Sequence, residues 1–61
     1  RRSIYSIKEI KKGEKFSSEN IRIIRPGFGL QPIYYEKLIN KVCYKNLKAN
    51  TALDRSFLNK K

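Results

Sequence analysis

An internal repeat is the feature that most limits what this chain of 61 residues can fold into. When the sequence is shifted by about 37 positions, residues 8–16 align with residues 45–53, and the turn, anchor and cap positions agree. The matched pairs are Lys8/Lys45, Ile10/Leu47, Lys11/Lys48, Gly13/Asn50, Phe16/Leu53, Ser17/Asp54 and Ile21/Leu58. Neither unit is long enough to bury its apolar side alone, but two units can pack together. Chance similarity in a Lys- and Ile-rich sequence is the alternative, and the agreement at three kinds of position argues against it.

The charge of the chain raises the question of whether it folds. Its 15 basic and five acidic residues give a formal net charge of +10, and such a balance is typical of disordered chains. However, eight Ile, five Leu, three Phe and one Val make up about 28% of the chain, above the level of about 20% that indicates disorder. We therefore expect one small folded domain over residues 3–58, with frayed ends at residues 1–2 and 59–61.

Several classes of function are excluded by composition. The chain has no His and a single Cys, which excludes imidazole chemistry, an intrachain disulfide and a cysteine metal cluster. Cys43 lies in an apolar segment and is predicted to be a buried small residue. There is no apolar run of about 18 residues and no signal-peptide pattern, so we expect a cytoplasmic protein without a membrane contact. No carboxylate pair stands out, and 61 residues leave little room for an enclosed pocket, so no catalytic or metal-binding residue is predicted.

The order of elements follows from local patterns. Gly13 and Asn50 suit left-handed turns, Ser17 and Asp54 suit the N-caps of short helical turns, and Asn40 suits the end of a helix that Pro32 begins. The chain is thus predicted to be mainly β with short helical turns and an internal pseudo-twofold repeat. The predicted strands are 4–10, 21–24 and 42–47, the predicted helix is 32–39, and the predicted loop is 25–29. In the first strand, Ile4, Ile7 and Ile10 also lie at helical spacing, so a helix is the alternative there.

A more specific pattern lies in residues 7–14, 18–22 and 24–30. The last of these reads Ile-Arg-Pro-Gly-Phe-Gly-Leu and is followed by a Pro, a short helix and Lys41. Together these segments resemble the C-terminal SAF (antifreeze-like) domain of bacterial sialic acid synthases, whose β-clip fold is that of type III antifreeze proteins. Asn40, Asn50 and Ala52 depart from the family pattern of Gly, Gly and Pro, and both Asn residues can preserve left-handed turns.

The resemblance implies a role in a larger enzyme. An N-terminal TIM-like barrel, absent from this fragment, would condense phosphoenolpyruvate with an N-acetylated amino sugar such as N-acetylmannosamine or a diacetamido relative, and would hold a divalent metal, Mg²⁺ or Mn²⁺. In a domain-swapped homodimer, the small domain would close over the barrel of the other subunit. An Arg of the Arg-Pro-Gly loop would contact the acylamino group of the sugar, and this Arg corresponds to Arg25. Gly27, Phe28 and Gly29 are expected to join it at the substrate site. Gly27 would let the backbone approach the ligand closely, whereas Phe28, Gly29 and Leu30 either line the pocket or pack under the loop.

The basic charge leaves a second interpretation, a small nucleic-acid-binding module. Against this interpretation, the lysines of the chain are dispersed through turns and ends, and its tyrosines do not form a run suited to base stacking. Nonspecific attraction to polyanions at low salt is expected from the charge alone. We therefore expect the charge to complement an acidic barrel or to attract an anionic substrate. Ice binding is disfavoured because so charged a surface matches ice poorly.

Overall fold

The computed structural model describes residues 1–59, and its regular elements are short. Two strands form an antiparallel sheet, and single-turn helices follow them in the chain. No helix among the described residues is long and apolar enough to cross a bilayer. The elements are β1 (Ser3–Ser6), β2 (Ile21–Ile24), a 3-10 turn (Pro32–Tyr34), α1 (Tyr35–Leu38) and α2 (Ser56–Asn59). The strand predicted at 21–24 and the helical segment that begins at Pro32 are confirmed.

The two repeats pair with each other through hydrogen bonds that obey the 37-residue shift. Ile10 and Leu47, which are equivalent positions, lie opposite each other and exchange both backbone N–H···O bonds, at 3.0 and 2.7 Å. A local twofold axis therefore passes between these two residues. Other bonds occur in matched pairs: Gly13 N–Cys43 O (2.8 Å) with Asn50 N–Ser6 O (2.8 Å), Phe16 N–Lys41 O (2.9 Å) with Leu53 N–Ile4 O (3.0 Å), and Cys43 N–Glu14 O (2.7 Å) with Ser6 N–Thr51 O (2.9 Å).

The predicted left-handed positions are confirmed. Gly13 has a φ of 96°, and the equivalent Asn50 has a φ of 65°. Asn40, which follows α1 after one intervening residue, has a φ of 73°. Asn is one of the few residues other than Gly that adopts this conformation at low cost, so the departures from Gly leave the turns intact.

The predicted caps also form. Ser17 Oγ accepts a hydrogen bond from the backbone N–H of Glu19 at 3.2 Å, and the segment after Ser17 forms a turn rather than a helix. Asp54 Oδ1 accepts the backbone N–H of Ser56 at 3.0 Å, at the start of α2.

Of the predicted strands, 4–10 is shorter in the structure and 42–47 is absent. β1 ends at Ser6 because its partner β2 has only four residues, and one further bond, from Ile7 N to Asn20 O, precedes the turn. Residues 42–47 do not form a strand. Val42 and Leu47 each form a single bridge with the other half, but that half makes a turn at residues 11–14 between the two bridges. The ladder therefore cannot continue between them.

The core draws on both halves. Phe16 and Phe57 meet edge to face with ring centroids 5.7 Å apart, and Cys43 is fully buried, as predicted. The repeat matched Leu58 to Ile21 as an apolar anchor, but Leu58 is only half-buried and Phe57 lies in the core instead. The core residues are Ile4, Ile10, Phe16, Ile21, Leu30, Leu38, Cys43, Leu47, Leu53 and Phe57.

The predicted ends are only partly described. Arg1 and Arg2 are exposed, whereas Asn59 is the last residue of α2. Lys60 and Lys61 lie outside the described residues.

Candidate functional site

The loop at residues 25–29 joins β2 to the segment that precedes the 3-10 turn. Its Arg25–Pro26 peptide bond is cis. Arg25 is exposed, and no hydrogen bond or ion pair joins its guanidinium to another residue in the range 1–59. Phe28 is 84% exposed, unusually high for a large apolar side chain. The loop therefore presents a cation and an aromatic ring to whatever lies outside the domain.

A buried serine ties the two ends of this loop together. The Ser3 hydroxyl donates to Pro26 O at 2.9 Å and accepts the backbone N–H of Gly29 at 3.0 Å. Ser3 is 1% exposed and lies opposite Ile24, the last residue of β2. Sequence reasoning missed Ser3, since a lone Ser more than 20 residues from the loop carries no pattern that would reveal the contact.

The C-terminal end of the loop is held by close backbone contacts. A Cβ at Gly29 would lie 2.8 Å from Leu53 O, 3.0 Å from Ala52 Cβ and 3.1 Å from Ile4 O. Leu30, the next residue, is buried, and its N–H donates to Leu53 O at 2.8 Å. Packing within the domain therefore requires glycine at position 29.

The other loop glycine faces the N-terminal residue. A Cβ at Gly27 would lie 2.8 Å from Arg1 Cβ and 3.3 Å from the Arg1 carbonyl carbon. The absence of a side chain at Gly27 thus allows Arg1 to lie against the loop.

A surface groove of about 330 Å³ lies beside the loop. The Arg55 guanidinium lies over the Tyr34 ring within it, 6.0 Å from the ring centroid. Of the predicted site residues, Phe28 and Gly29 line the groove, whereas Arg25 and Gly27 lie outside the lining. The groove is lined by Arg1, Phe28, Gly29, Leu30, Gln31, Tyr34, Leu53, Asp54 and Arg55.

Other residues considered from the sequence take structural or solvent-facing positions. Arg22 is exposed on β2, as predicted, while Tyr34 and Tyr35 are half-buried against the core. No tyrosine of the described chain is exposed, so the tyrosines provide no open face for base stacking. Within residues 1–59, no three His, Cys, Asp or Glu side chains are grouped so that they could hold a metal ion.

A profile of the SAF domain family matches residues 1–58. The chain belongs to the SAF domain family. A solved structure supports the same fold: the spore coat polysaccharide biosynthesis protein of Bacillus subtilis superimposes with a TM-score of 0.86 at 33% sequence identity. The superposition covers 98% of the SAF domain and 18% of that protein.

The relatives of this SAF domain among characterised proteins are synthases of sialic-acid-like sugars, which confirms the resemblance seen in the sequence. It is 50% identical over 52 residues to the pseudaminic acid synthase of Campylobacter jejuni serotype O:2 and 44% identical over 52 residues to that of Helicobacter pylori. It is 42% identical over 48 residues to the N,N'-diacetyllegionaminic acid synthase of Campylobacter jejuni. These matches cover 79% to 85% of this chain, which spans only 14% or 15% of each relative.

Proposed function

We propose that this SAF domain is the substrate-capping module of a synthase that condenses phosphoenolpyruvate with an N-acylated amino sugar. Its relatives at 42% to 50% identity include synthases of both pseudaminic acid and N,N'-diacetyllegionaminic acid, which supports a diacetamido sugar as substrate. The shared element of these syntheses is an acylamino group on the acceptor sugar. A capping domain in such an enzyme therefore needs a donor of hydrogen bonds that reaches a neutral amide oxygen.

The observation that carries this proposal is the exposed guanidinium of Arg25. Its guanidinium is exposed and has no hydrogen-bond or ion-pair partner in residues 1–59, so its donors are available to a ligand. The planar fork of donors suits a carbonyl oxygen or sugar hydroxyls better than an ammonium would. The hydrogen bonds of Ser3 and the close packing of Gly29 fix the loop that carries Arg25. A side chain presented on a fixed loop loses less entropy when it binds.

The remaining parts of the enzyme belong to the proposal as well. A TIM-like barrel elsewhere in the protein would carry the condensation and a divalent metal, Mg²⁺ or Mn²⁺. The protein would be a cytoplasmic, domain-swapped homodimer in which Arg25 serves the barrel of the other subunit. Phe28 and Ile33 are 84% and 78% exposed, and a barrel surface packed against this side of the domain would cover them. The net charge of +10 would help to attract anionic phosphoenolpyruvate.

The test compares two exposed arginines in the full-length synthase. Arg25→Ala removes the proposed contact, whereas Arg22→Ala removes an equal charge from β2, three residues earlier in the chain. Loss of a hydrogen bond from a charged donor costs about 1.5–3 kcal/mol, or roughly 10- to 150-fold in kcat/KM. We expect Arg25→Ala to show this loss, Arg25→Lys to recover only part of it, and Arg22→Ala to stay near wild type. Equal kinetics for the two Ala variants would contradict the proposal.

A further inference from the structure

We infer that Ser3 is a positioning residue for the substrate site, because its buried hydroxyl fixes the loop that presents Arg25. This inference rests on the proposed function, since it assigns to Ser3 the task of holding the arginine that contacts the sugar. Ser3 lies in β1, about 22 positions before Arg25, and does not line the groove. It acts on the site only through the loop.

The loop depends on Ser3 for its hydrogen bonds. Among residues 1–59, the segment 25–29 forms two, from the Ser3 hydroxyl to Pro26 O at 2.9 Å and from Gly29 N to the same hydroxyl at 3.0 Å. One oxygen atom thus donates to the second residue of the loop and accepts from the fifth. A hydroxyl is the smallest side-chain group that can do both at once.

Removing the Ser3 hydroxyl would release the loop without changing any residue of the loop itself. Ser3→Ala leaves Pro26 O and Gly29 N without their partner at a position where Ser3 is 1% exposed. The two bonds that tie the ends of the loop to β1 are then lost, and the loop is free to move toward water, where both groups find other partners. The Arg25 guanidinium, which has no hydrogen bond or ion pair within residues 1–59, would then sample a wider range of positions. Even a small displacement of a positioning group weakens binding or turnover strongly.

The same fold provides a matched control. Ser6, at the other end of β1, is 0% exposed and uses its hydroxyl in the same way on a different turn. It donates to Lys48 O at 2.7 Å and accepts the backbone N–H of Thr51 at 3.0 Å. A longer bond joins the same hydroxyl to Thr51 O at 3.4 Å. Ser6→Ala therefore removes an equally buried hydroxyl and its hydrogen bonds, but it leaves the loop at 25–29 intact.

The experiment uses the full-length synthase with phosphoenolpyruvate and the diacetamido sugar that leads to pseudaminic acid. Ser3→Ala, Ser6→Ala and Arg25→Ala are compared by the KM for the sugar, by kcat, by Tm, and by hydrogen–deuterium exchange of peptides covering residues 25–30. We expect similar losses of Tm for the two serine variants. Of these two serine variants, only Ser3→Ala should raise the KM for the sugar, by about tenfold or more, and speed exchange in the peptides covering residues 25–30. If Ser3→Ala does not fold, Ser3→Cys keeps a donor and acceptor at this position, on a slightly larger atom, while weakening both bonds, and it should show the same selective effect to a smaller degree.

The outcomes separate this inference from the proposed function. A raised KM in Arg25→Ala together with equal KM values in Ser3→Ala and Ser6→Ala overturns the inference alone. An unchanged kcat/KM in Arg25→Ala overturns the proposed function, and the role of Ser3 in substrate binding with it. Unchanged exchange at residues 25–30 in Ser3→Ala contradicts the claim that the hydroxyl fixes the loop, whatever the kinetics.

Discussion

Gly29→Ala is the substitution whose effect the structure defines most sharply. The new Cβ would lie 2.8 Å from Leu53 O and 3.1 Å from Ile4 O, where ordinary contacts begin at 3.4 Å. Both oxygens are backbone atoms that already accept hydrogen bonds, from Leu30 N at 2.8 Å and from Leu53 N at 3.0 Å. Neither oxygen can move aside without lengthening a bond that joins the two halves of the domain. We therefore expect the loop at residue 29 to be pushed outward, with a loss of stability.

The size of this loss follows from packing. Inserting one methyl group into a well-packed site costs about 1–3 kcal/mol, and restriction of the unfolded chain by Ala returns about 0.4–1 kcal/mol. The net loss for Gly29→Ala is about 1.5 kcal/mol. A single core in a chain this short seldom provides more than about 3–5 kcal/mol, so this loss is a large fraction of the total. Gly27→Ala is the control, since the atoms nearest to a Cβ there all belong to Arg1, an exposed residue outside the strands and helices, which can shift.

Urea unfolding followed by circular dichroism measures the difference. With a slope of about 1 kcal/mol per M, the midpoint of Gly29→Ala should fall by about 1.5 M, while that of Gly27→Ala should stay within about 0.5 M of wild type. A Gly29→Ala midpoint equal to that of Gly27→Ala would refute the claim that close backbone contact, rather than a ligand, requires glycine at position 29.

Two further stability predictions concern the turn at Gly13 and the buried thiol of Cys43. No heavy atom lies within 4 Å of a Cβ built at Gly13, so only its φ of 96° opposes a side chain there. Gly13→Ala should therefore lower the free energy of unfolding by about 1–2 kcal/mol, and Gly13→Asn should lower it less. Equal urea midpoints for the two variants would contradict this. Burial raises the pKa of the Cys43 thiol. The unfolded thiol therefore loses its proton first, near pH 8.5, and the folded state should lose stability as the pH rises above that value. When the pH is raised from about 7 to about 9.5, the urea midpoint should fall more in the wild type than in Cys43→Ala. Equal falls in the two proteins would exclude a contribution from this thiol.

The repeat was the part of the fold that the sequence predicted best. Equivalent residues such as Ile10 and Leu47 prove to face each other, and Gly13 and Asn50 occupy equivalent left-handed turns in the two repeats. These predictions succeeded because turn residues and apolar anchors act locally, so their types reveal their conformation. The strand at 42–47 failed because β-propensity says nothing about the partner. Its partner segment turns at residues 11–14 and leaves only isolated bridges.

The candidate site shows the same division between local and distant causes. Arg25 and its loop became candidates because Pro and Gly mark a loop and because the surrounding motif resembles a known family. The roles of the loop glycines could not be decided from the sequence, since they depend on residues such as Leu53 and Arg1 that are distant in the chain. Ser3 was missed for that reason too, because nothing in a Ser beside two arginines indicates which carbonyl its hydroxyl will reach.

The most direct test of the central claim is a kinetic cycle that removes each side of the proposed contact between Arg25 and the acylamino group. The full-length synthase and its Arg25→Ala variant are each assayed for kcat/KM with the diacetamido sugar and with an analogue in which one acetamido group is replaced by hydroxyl, taking each acetamido position in turn. We predict that Arg25→Ala lowers kcat/KM by roughly 10- to 150-fold with the diacetamido sugar, and by much less with the analogue that lacks the contacted group. The same loss with all three sugars would show that Arg25 does not contact an acylamino group, and would contradict the account.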